Sequence, residues 1–383
     1  MKKKILFVLP TFEIGGTVVS TKNLILLLDK TKYDISVLCM TGTGSMSRMY
    51  DDIKLIQTNA TLSSLAFSSW KDEKNIIKKI YCGFIRKIFK NEKIRDKILI
   101  NQAKAITALN YDTIIACEEG ICTEFASHIK CNNKIAWVRC DYSRYIKNKN
   151  KSIEENIYSR YNKIVCVSDL TSERFKEIYT HYAEKTIAIN NPQSEEYIIE
   201  QSYNNDNDTS FIKNGYTIVS IGRIDQIKRF TQIPSIASFL ISRNIEFKWY
   251  IIGDGDEEEK RQIKQNILKE DVEKYVVCLG LKTNPHYYIK NSDLLVSLSI
   301  SEACPRVINE AKILHVPVVC TNFDTAKEYI DNMKNGIISP IDEIKYSILE
   351  ILQNDELKNN IKANISKFHF DNNDIMNRIN EML

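Results

Sequence analysis

The part of this chain that most constrains its fold is residues 297–321, which read SLSISEACPRVINEAKILHVPVVCT. The apolar run at 293–298 predicts a buried strand that ends in a serine-rich turn. Pro305 suits the first turn of a following helix, where its missing N–H is not needed. A second apolar run at 316–319 predicts the next buried strand. Apolar residues at helical spacing predict the helix between the two strands: Val307, Ile308, Ala311 and Leu314.

This strand–loop–helix–strand unit carries two carboxylates near the carboxyl end of its first strand. Glu302 lies in the turn, and Glu310 follows eight residues later at the edge of the apolar helix face. Open α/β sheets bind ligands outside the carboxyl ends of their strands, and a helix N-terminus favours a phosphate. One interpretation is a phosphorylated ligand whose hydroxyls donate to both carboxylates. The alternative is that both are solvated residues of an amphipathic helix.

The spacing of these groups resembles the donor-site signature of glycosyltransferase family 4. As in that signature, seven residues separate the two glutamates, and Glu-Ala and a Val-Pro-Val-Val-Cys-Thr strand follow. The resemblance implies that Glu302 contacts the donor hexose and that Glu310 contacts the nucleotide ribose. Ala303 stands where the family usually has glycine, which makes the loop less free to adopt a positive φ. Between the glutamates, the residues assigned to donor binding are Pro305, Arg306 and Val307.

A second motif, GRIDQIK at 222–228, follows a predicted strand at 216–221. Two cations at a strand end can neutralise a diphosphate leaving group as charge develops on it, although solvated loop cations are the alternative. The motif resembles the family's G-R-[apolar]-x-x-x-K hallmark, which implies that Arg223 and Lys228 bind the donor diphosphate. Arg229 stands where many relatives have glycine, and we expect it to tighten or distort the turn.

Two further positions complete the expected donor site. Gly253 lies in a strand-to-turn sequence, Gly-Asp-Gly-Asp, that would let a nucleotide approach, and Leu281 begins the loop where family members read the base through backbone contacts. The Asp-x-Asp triplets at 206–208 and 254–256 are candidate metal ligands. The second triplet resembles the family's metal-free turn, so no metal and no other cofactor are expected.

The first half of the chain alternates predicted strands with helical stretches, which favours a parallel, doubly wound sheet. Gly15 and Gly16 lie between a strand predicted at 5–9 and a helix predicted at about 18–28, an arrangement that suits a phosphate. The resemblance implies that this glycine pair lies beside the donor phosphate and the acceptor. The other predicted strands are at 35–40, 113–116, 134–138 and 163–168.

One departure from the family pattern concerns the acceptor side. Family members carry a histidine followed shortly by an aspartate after a strand with a tryptophan, and here Arg139 replaces that histidine. Arginine stays protonated and cannot act as a general base. Either Asp141 orients the acceptor, or the donor phosphate serves as the base. The alternative role of Asp141 is that of a helix or turn cap. The five histidines are isolated in sequence and are interpreted as structural.

Residues 71–104 contain eleven Lys and Arg against four Asp and Glu, a local surplus of seven positive charges. Apolar residues recur there at roughly helical spacing, which predicts a basic amphipathic helix. Such a helix either lies on an anionic membrane surface or packs its apolar stripe on the core as an ordinary surface helix. A membrane partner is therefore one of two open interpretations.

The composition suits a globular protein with two cores, since 43% of the 383 residues are hydrophobic. The predicted domains are 1–195, which binds the acceptor, 196–365, which binds the nucleotide sugar, and a helix within 366–383 that returns to the first domain. The net charge of +4 is no nucleic-acid signature, and the ten scattered cysteines suggest reduced core residues. No membrane-spanning or secretory segment is predicted, so we expect a cytoplasmic protein, with peripheral attachment at the inner face of the membrane as a further expectation.

The resemblance covers essentially the whole chain and implies an α/β GT-B fold with two Rossmann-like domains facing a cleft. It implies metal-independent, retaining transfer of a hexose from a nucleotide diphosphate, with uridine the favoured base, to a glycan or lipid-linked acceptor. The abundance of Lys, Ile and Asn suggests a bacterial cell-envelope pathway. The alternatives are a nucleotide-sugar epimerase, a non-catalytic partner subunit and, least compatible because no GxGxxG motif occurs, an NAD-dependent oxidoreductase.

Overall fold

The computed structural model describes residues 1–13, 15–66, 75–204 and 208–383. The chain forms two units: Met1–Pro192 with Asn372–Leu383 make up unit 1, and Gln193–Asp371 make up unit 2. The continuous part of the first unit therefore ends at Pro192, three residues before the boundary expected at 195. Part of the basic segment, 71–74, and two residues of the first Asp-x-Asp triplet lie outside the described residues.

Unit 1 contains a sheet of seven parallel strands in the order β3-β2-β1-β4-β5-β6-β7. The strands are β1 (Lys3–Leu9), β2 (Tyr33–Cys39), β3 (Lys54–Ile56), β4 (Thr113–Ala116), β5 (Asn133–Val138), β6 (Lys163–Cys166) and β7 (Thr186–Ala188). The central strands are apolar throughout because helices cover both faces of a parallel sheet; residues 5–9 of β1 are fully buried. The helices are α1 (Gly16–Leu27), α2 (Ala60–Ala66), α3 (Ile76–Phe89), α4 (Glu92–Thr107), α5 (Ile121–Ser127), α6 (Tyr142–Tyr145), α7 (Lys151–Ser159) and α8 (Asp169–Ile178).

Unit 2 contains six parallel strands in the order β10-β9-β8-β11-β12-β13. The strands are β8 (Tyr216–Ile221), β9 (Phe247–Ile252), β10 (Val276–Gly280), β11 (Leu294–Ser297), β12 (Val318–Thr321) and β13 (Ile337–Ser339). The helices are α9 (Glu195–Tyr203), α10 (Ile233–Ser242), α11 (Glu257–Lys269), α12 (Pro285–Lys290), α13 (Arg306–Ile313), α14 (Ala326–Tyr329), α15 (Ile344–Gln353) and α16 (Asp355–Ile365). One apolar cluster packs on each face of this sheet, which makes unit 2 a doubly wound α/β layer structure.

The last helix, α17 (Asn373–Met382), belongs to unit 1 although it follows unit 2 in sequence. Its Ile379 is buried, and its Asn380 Oδ1 accepts a 3.1 Å hydrogen bond from the hydroxyl of Tyr33. The Nδ2 of Asn133 donates to the Met382 carbonyl at 2.7 Å. The end of the chain is therefore tied to the starts of β2 and β5.

Several sequence-based boundaries need correction. The strand expected at 293–298 is shorter, and the one expected at 316–319 begins only after Pro317, which has no N–H for the ladder. Pro305 precedes α13 instead of lying in its first turn, since its ψ of 82° is not helical. The helix expected from about residue 18 begins at Gly16. Cys278 is exposed, because it lies on the edge strand β10, whereas we expected a core position.

Within the described ranges, no helix combines the length and the apolar character that a bilayer crossing requires. All ten cysteines are free thiols.

Candidate functional site

The strand order of unit 2 decides where its charged side chains meet. The chain order reverses between β8 and β11, which are neighbours in the sheet and run parallel. Parallel strands end at the same edge, and the point where strand order reverses leaves a crevice there. The loop at 222–228 follows β8, and Glu302 follows β11. Two segments about 75 residues apart in sequence are thereby brought to one crevice.

Lys228 and Glu302 form an ion pair in this crevice. The Nζ of Lys228 donates to Glu302 Oε1, and the hydroxyl of Ser299 donates to the same oxygen at 2.6 Å. The backbone of Glu302 is held as well, because its carbonyl accepts a 2.7 Å hydrogen bond from Thr325 Oγ1. Both side chains of the pair are mostly buried. The result is a carboxylate and an ammonium fixed side by side at the carboxyl edge of the sheet.

The loop that carries Lys228 is organised by Asp225. One carboxylate oxygen accepts the backbone N–H of Lys228 at 3.1 Å, and the other accepts Arg223 Nε at 2.9 Å. The N–H of Ile300 donates to the Ile227 carbonyl at 2.8 Å, which joins this loop to the one that follows β11. Arg223 is largely exposed and touches neither glutamate. Of the two expected diphosphate cations, Lys228 contacts Glu302, whereas Arg223 pairs with Asp225.

Arg229 adopts a left-handed backbone conformation with φ 52°. Non-glycine residues pay a steric cost there, so this turn carries backbone strain at Arg229. Replacing Arg229 by glycine is expected to raise the free energy of unfolding by up to about 1 kcal/mol, the strain relief less glycine's greater freedom in the unfolded chain. Urea denaturation measures this change in the free energy of unfolding.

The matched control for this prediction is Arg261→Gly within α11, where glycine is expected to cost about 1 kcal/mol. A destabilisation of the Arg229→Gly protein equal to that of the control would show that the turn carries no strain.

Gly253 is required by the packing of two loops. It has φ 151°, and a Cβ on this residue would lie 1.8 Å from the carbonyl oxygen of Gly222. The loop after β9 therefore rests on the start of the 222–228 loop, which is a structural reason for this glycine separate from any nucleotide. Leu281 lies just beyond β10 and is exposed.

The carboxylates of the 254–256 turn are already engaged. Asp254 accepts from Lys260 Nζ at 2.6 Å, which lowers the pKa of this aspartate. Asp256 caps α11 by accepting the N–H groups of Glu258 and Glu259. No group of three or more His, Cys, Asp or Glu side chains suited to a metal ion is found in the part of the chain that the structure describes.

Glu310 lies deeper than the Lys228–Glu302 pair and has its own partners. Its Oε1 accepts a 2.8 Å hydrogen bond from Arg306 Nη2, one helical turn earlier in α13, and lies 3.9 Å from His286 Nε2. Burial alone would raise the pKa of Glu310, but the charge of Arg306 and the nearby imidazole bring the pKa down to about 2. Glu310 is therefore an ionised carboxylate inside the protein.

In unit 1, Gly15 and Gly16 border open space. Among the described residues, a Cβ on Gly16 would meet no atom within 4 Å, and one on Gly15 would meet only the Glu13 carbonyl at 3.9 Å. The backbone at the start of α1 is thus accessible from that side. Val307, between Arg306 and the buried face of α13, is half-buried.

The structure gives Arg139 and Asp141 structural partners. Arg139 donates to the Cys117 carbonyl at 2.7 Å, to the Ser20 hydroxyl at 2.7 Å and to Asn191. Asp141 caps α6 by accepting the N–H of Ser143. Arg139 thereby links the segments that follow β4, β5 and β7.

The second oxygen of Asp141 forms a 2.9 Å ion pair with Arg174. Both carboxylate oxygens are therefore occupied, and the capping role that the sequence left open is the one that the structure displays.

Three residues of the site escaped sequence reasoning: Ser299, Thr325 and His286. Ser299 donates to the side chain of Glu302, and Thr325 donates to its backbone carbonyl. Nothing in the local sequence distinguishes these two hydroxyls from others in turns. His286 is isolated in the sequence, because its neighbour Glu310 is 24 residues away along the chain. Only the packing of α12 against α13 brings the two together.

Comparisons with known proteins concern the family and the fold of the chain. Residues 202–368, which form most of unit 2, match the family described as Glycosyl transferases group 1. An uncharacterized glycosyltransferase of Methanocaldococcus jannaschii is 28% identical over 57% of this chain and 55% of its own length, so the chain spans about half of that relative. An uncharacterized glycosyltransferase of Haemophilus influenzae is 23% identical over 93% of this chain and 92% of the relative.

Among solved structures, Anabaena HepE in complex with UDP and glucose superposes with a TM-score of 0.74 at 17% identity, covering 99% of this chain and 98% of HepE. At that identity the likeness concerns the fold, which is the GT-B fold of two Rossmann-like units. The structural likeness thus covers nearly the whole chain, and the group 1 match covers residues 202–368.

Proposed function

We propose that this protein is a retaining hexosyltransferase that moves a sugar from a uridine diphosphate donor to a glycan or lipid-linked acceptor. The observation that carries the proposal is the Lys228–Glu302 ion pair at the point where the strand order of unit 2 reverses, with the ionised Glu310 beyond it. Support for a uridine nucleotide comes from HepE, whose structure holds UDP and glucose. The composition supports a role in the bacterial cell envelope.

The proposed mechanism assigns each charged group one task. Lys228 stabilises the negative charge that develops on the departing diphosphate, because a fixed ammonium needs no reorganisation when the bond breaks. Arg223, exposed beside it, supplies the second cation. Glu302, held by Ser299 and Thr325, accepts hydrogen bonds from hexose hydroxyls and fixes the sugar. Glu310 accepts from the ribose.

The acceptor proton goes to the donor phosphate in this proposal. Arg139 stays protonated, and both oxygens of Asp141 are engaged in a cap and an ion pair. The acceptor then approaches on the face from which the phosphate leaves, which retains the anomeric configuration. No metal is required in this scheme, and loss of transfer in EDTA would contradict that part of it.

The decisive experiment incubates the purified chain with UDP-hexoses, with and without glycan acceptors, and follows the products by NMR. Acceptor-dependent release of UDP with a retained anomeric configuration is the expected result. Conversion of the nucleotide sugar alone into its epimer would show the rival epimerase activity. No turnover until a second protein is added would show a non-catalytic partner subunit.

A specific observation also supports a membrane surface as the place of action. Helix α3 turns one apolar face to the core through Cys82 and Ile85, which are buried. A second apolar row on the same helix is 59% to 81% exposed, where an ordinary surface helix would be polar. The residues of this exposed row are Ile76, Ile77, Ile80 and Phe84.

Basic side chains accompany the exposed row. Lys79 and Lys87 are exposed on the same helix, and the exposed Lys90 follows it directly. Each basic residue near an anionic bilayer contributes about 1 kcal/mol. Apolar insertion flanked by lysines is the pattern of an interfacial helix. We therefore propose that α3 binds anionic lipid and holds the protein peripherally at the membrane.

The membrane proposal predicts the outcome of vesicle co-sedimentation. The protein is expected to bind vesicles with anionic lipid and to bind neutral vesicles much more weakly. A double variant, Ile80→Glu with Phe84→Glu, removes apolar insertion and adds repulsion, so binding is expected to fall at least about tenfold. The matched control is Leu268→Glu, another exposed apolar residue, in unit 2. Equal binding of the double variant and the control would contradict the proposal.

A further inference from the structure

Glu310 is the carboxylate proposed to bind the ribose, and a histidine that the proposed mechanism does not use lies beside it. His286 lies in the first turn of α12 and is 8% exposed. Its Nε2 makes no hydrogen bond with the described residues and lies 3.9 Å from Glu310 Oε1. The ring of Tyr197, from α9, packs edge-on at 6.2 Å between centroids. A buried, unsatisfied nitrogen beside a carboxylate requires an explanation.

The two cationic or donor groups near Glu310 reach it from different elements. Arg306 belongs to α13, as Glu310 does, and donates to Oε1 along the helix surface. His286 faces the same oxygen from α12. Both partners are thus directed at Oε1, and Oε2 accepts no hydrogen bond from any described residue. One oxygen is held by the protein, and the other is left for a ligand.

We propose that His286 is a positioning residue that, together with Arg306, holds the Glu310 carboxylate for a vicinal diol. This inference rests on the proposed function, in which that diol is the ribose of the nucleotide donor. A diol donates two hydrogen bonds, and a carboxylate accepts both only when it is ionised and its rotamer is fixed. Arg306 holds the carboxylate only from α13, the helix that also carries Glu310; His286 supplies a second direction, from α12.

The consequence is selectivity between nucleotides that carry or lack the diol. A protein with a fixed carboxylate binds UDP more tightly than 2′,3′-dideoxy-UDP, because the deoxy ligand leaves a buried acceptor without its donors. If the carboxylate is free to rotate, UDP loses its advantage and dideoxy-UDP is unaffected. A residue with only a general structural role would change the affinity for both ligands alike.

The experiment measures the dissociation constants of UDP and dideoxy-UDP by titration calorimetry. The wild type is expected to prefer UDP by at least about a hundredfold, since two hydrogen bonds to a charged group are lost. His286→Leu is expected to reduce that preference about tenfold while dideoxy-UDP affinity stays within about twofold. His286→Gln, whose Nε2 occupies a similar place, is expected to restore most of the preference.

Two further variants complete the design. His286→Asn is polar and compact but too short to reach Glu310, so it is expected to reduce the preference for UDP as His286→Leu does. It provides the same test if the leucine variant folds poorly. His369→Leu, at an exposed histidine of unit 2, is the matched control and is expected to match the wild type.

The outcomes separate the two proposals. A wild type without any preference for UDP would overturn both the ribose contact of Glu310 and the role of His286. A wild-type preference that Glu310→Gln abolishes and both His286→Leu and His286→Asn retain would overturn the role of His286 alone. An equal loss of affinity for UDP and dideoxy-UDP in those two variants would also overturn the role of His286, since a merely structural change would have that effect.

Discussion

Replacing Glu310 by alanine is expected to lower the free energy of unfolding by about 3–5 kcal/mol, because Arg306 would keep a buried charge without its partner. The side chains of this pair are 8% and 14% exposed, so water cannot replace the lost carboxylate. Urea denaturation followed by circular dichroism measures the change. The variant is also expected to lose UDP binding, but a loss of that size in stability would by itself reduce binding.

A double variant separates the two effects. Arg306→Met combined with Glu310→Leu replaces the ion pair by apolar groups of similar size, which is expected to bring stability back to within about 1 kcal/mol of the wild type. UDP binding should remain lost, because the carboxylate is gone. A double variant that binds UDP as the wild type does would contradict the assignment of Glu310 to the nucleotide.

The same ion pair has a pH signature. The pKa of Glu310 is lowered from 4.5 to about 2, so its contribution to stability is present above pH 4.5 and is lost as the pH falls towards 2. The shift corresponds to roughly 3 kcal/mol. Unfolding of the wild type should therefore become easier between pH 4.5 and 2, and the double variant should lack this part of the acid sensitivity.

Replacing Lys228 by alanine is expected to lower kcat by about 10²–10³-fold with a much smaller change in UDP affinity. The reason is that the ammonium acts most strongly on charge that develops only as the diphosphate departs. In the resting protein Lys228 is paired with Glu302, which also accepts from Ser299. Glu302 therefore keeps one partner in the variant, and its loop keeps the hydrogen bond from Thr325. Steady-state kinetics with a UDP-sugar and its acceptor measure the change.

Lys260→Ala is the matched control for this experiment. Lys260 is another part-buried lysine of unit 2, paired with Asp254 after the neighbouring strand β9. Its loss is expected to leave kcat within about twofold, in the range of ordinary surface changes. If Lys228→Ala lowered UDP affinity and kcat by the same factor, Lys228 would act on the bound ground state and the proposed leaving-group role would be wrong.

Local patterns predicted most of the elements of this protein. Buried strands and helical spacing around Glu302 and Glu310 are visible in the sequence, because a parallel sheet with covered faces requires continuous apolar runs. The predicted ends of the strands and helices were less accurate. The strand after α13 begins only beyond Pro317, and Pro305 lies outside its helix, since proline's restrictions act on single residues that no periodicity reveals.

The partners of the charged residues were not predictable in the same way. The sequence grouped Arg223 with Lys228 and Glu302 with Glu310, following their spacing along the chain. The structure pairs Lys228 with Glu302 and Glu310 with Arg306, and it leaves Arg223 with Asp225. The 222–228 loop and the loop after β11 meet because β8 and β11 are adjacent, and strand order is a property of the whole sheet.

The sequence by itself determined the α/β class, the alternation of strands and helices, and the residue types near the crevice, because these depend on local hydrophobic period and on chain order. Only the tertiary structure decided which oxygen of Glu310 is held, that His286 lies beside it, and that α3 leaves a second apolar row uncovered. These facts depend on contacts between residues far apart in the chain. Such contacts form only when whole elements pack, and no local pattern encodes them.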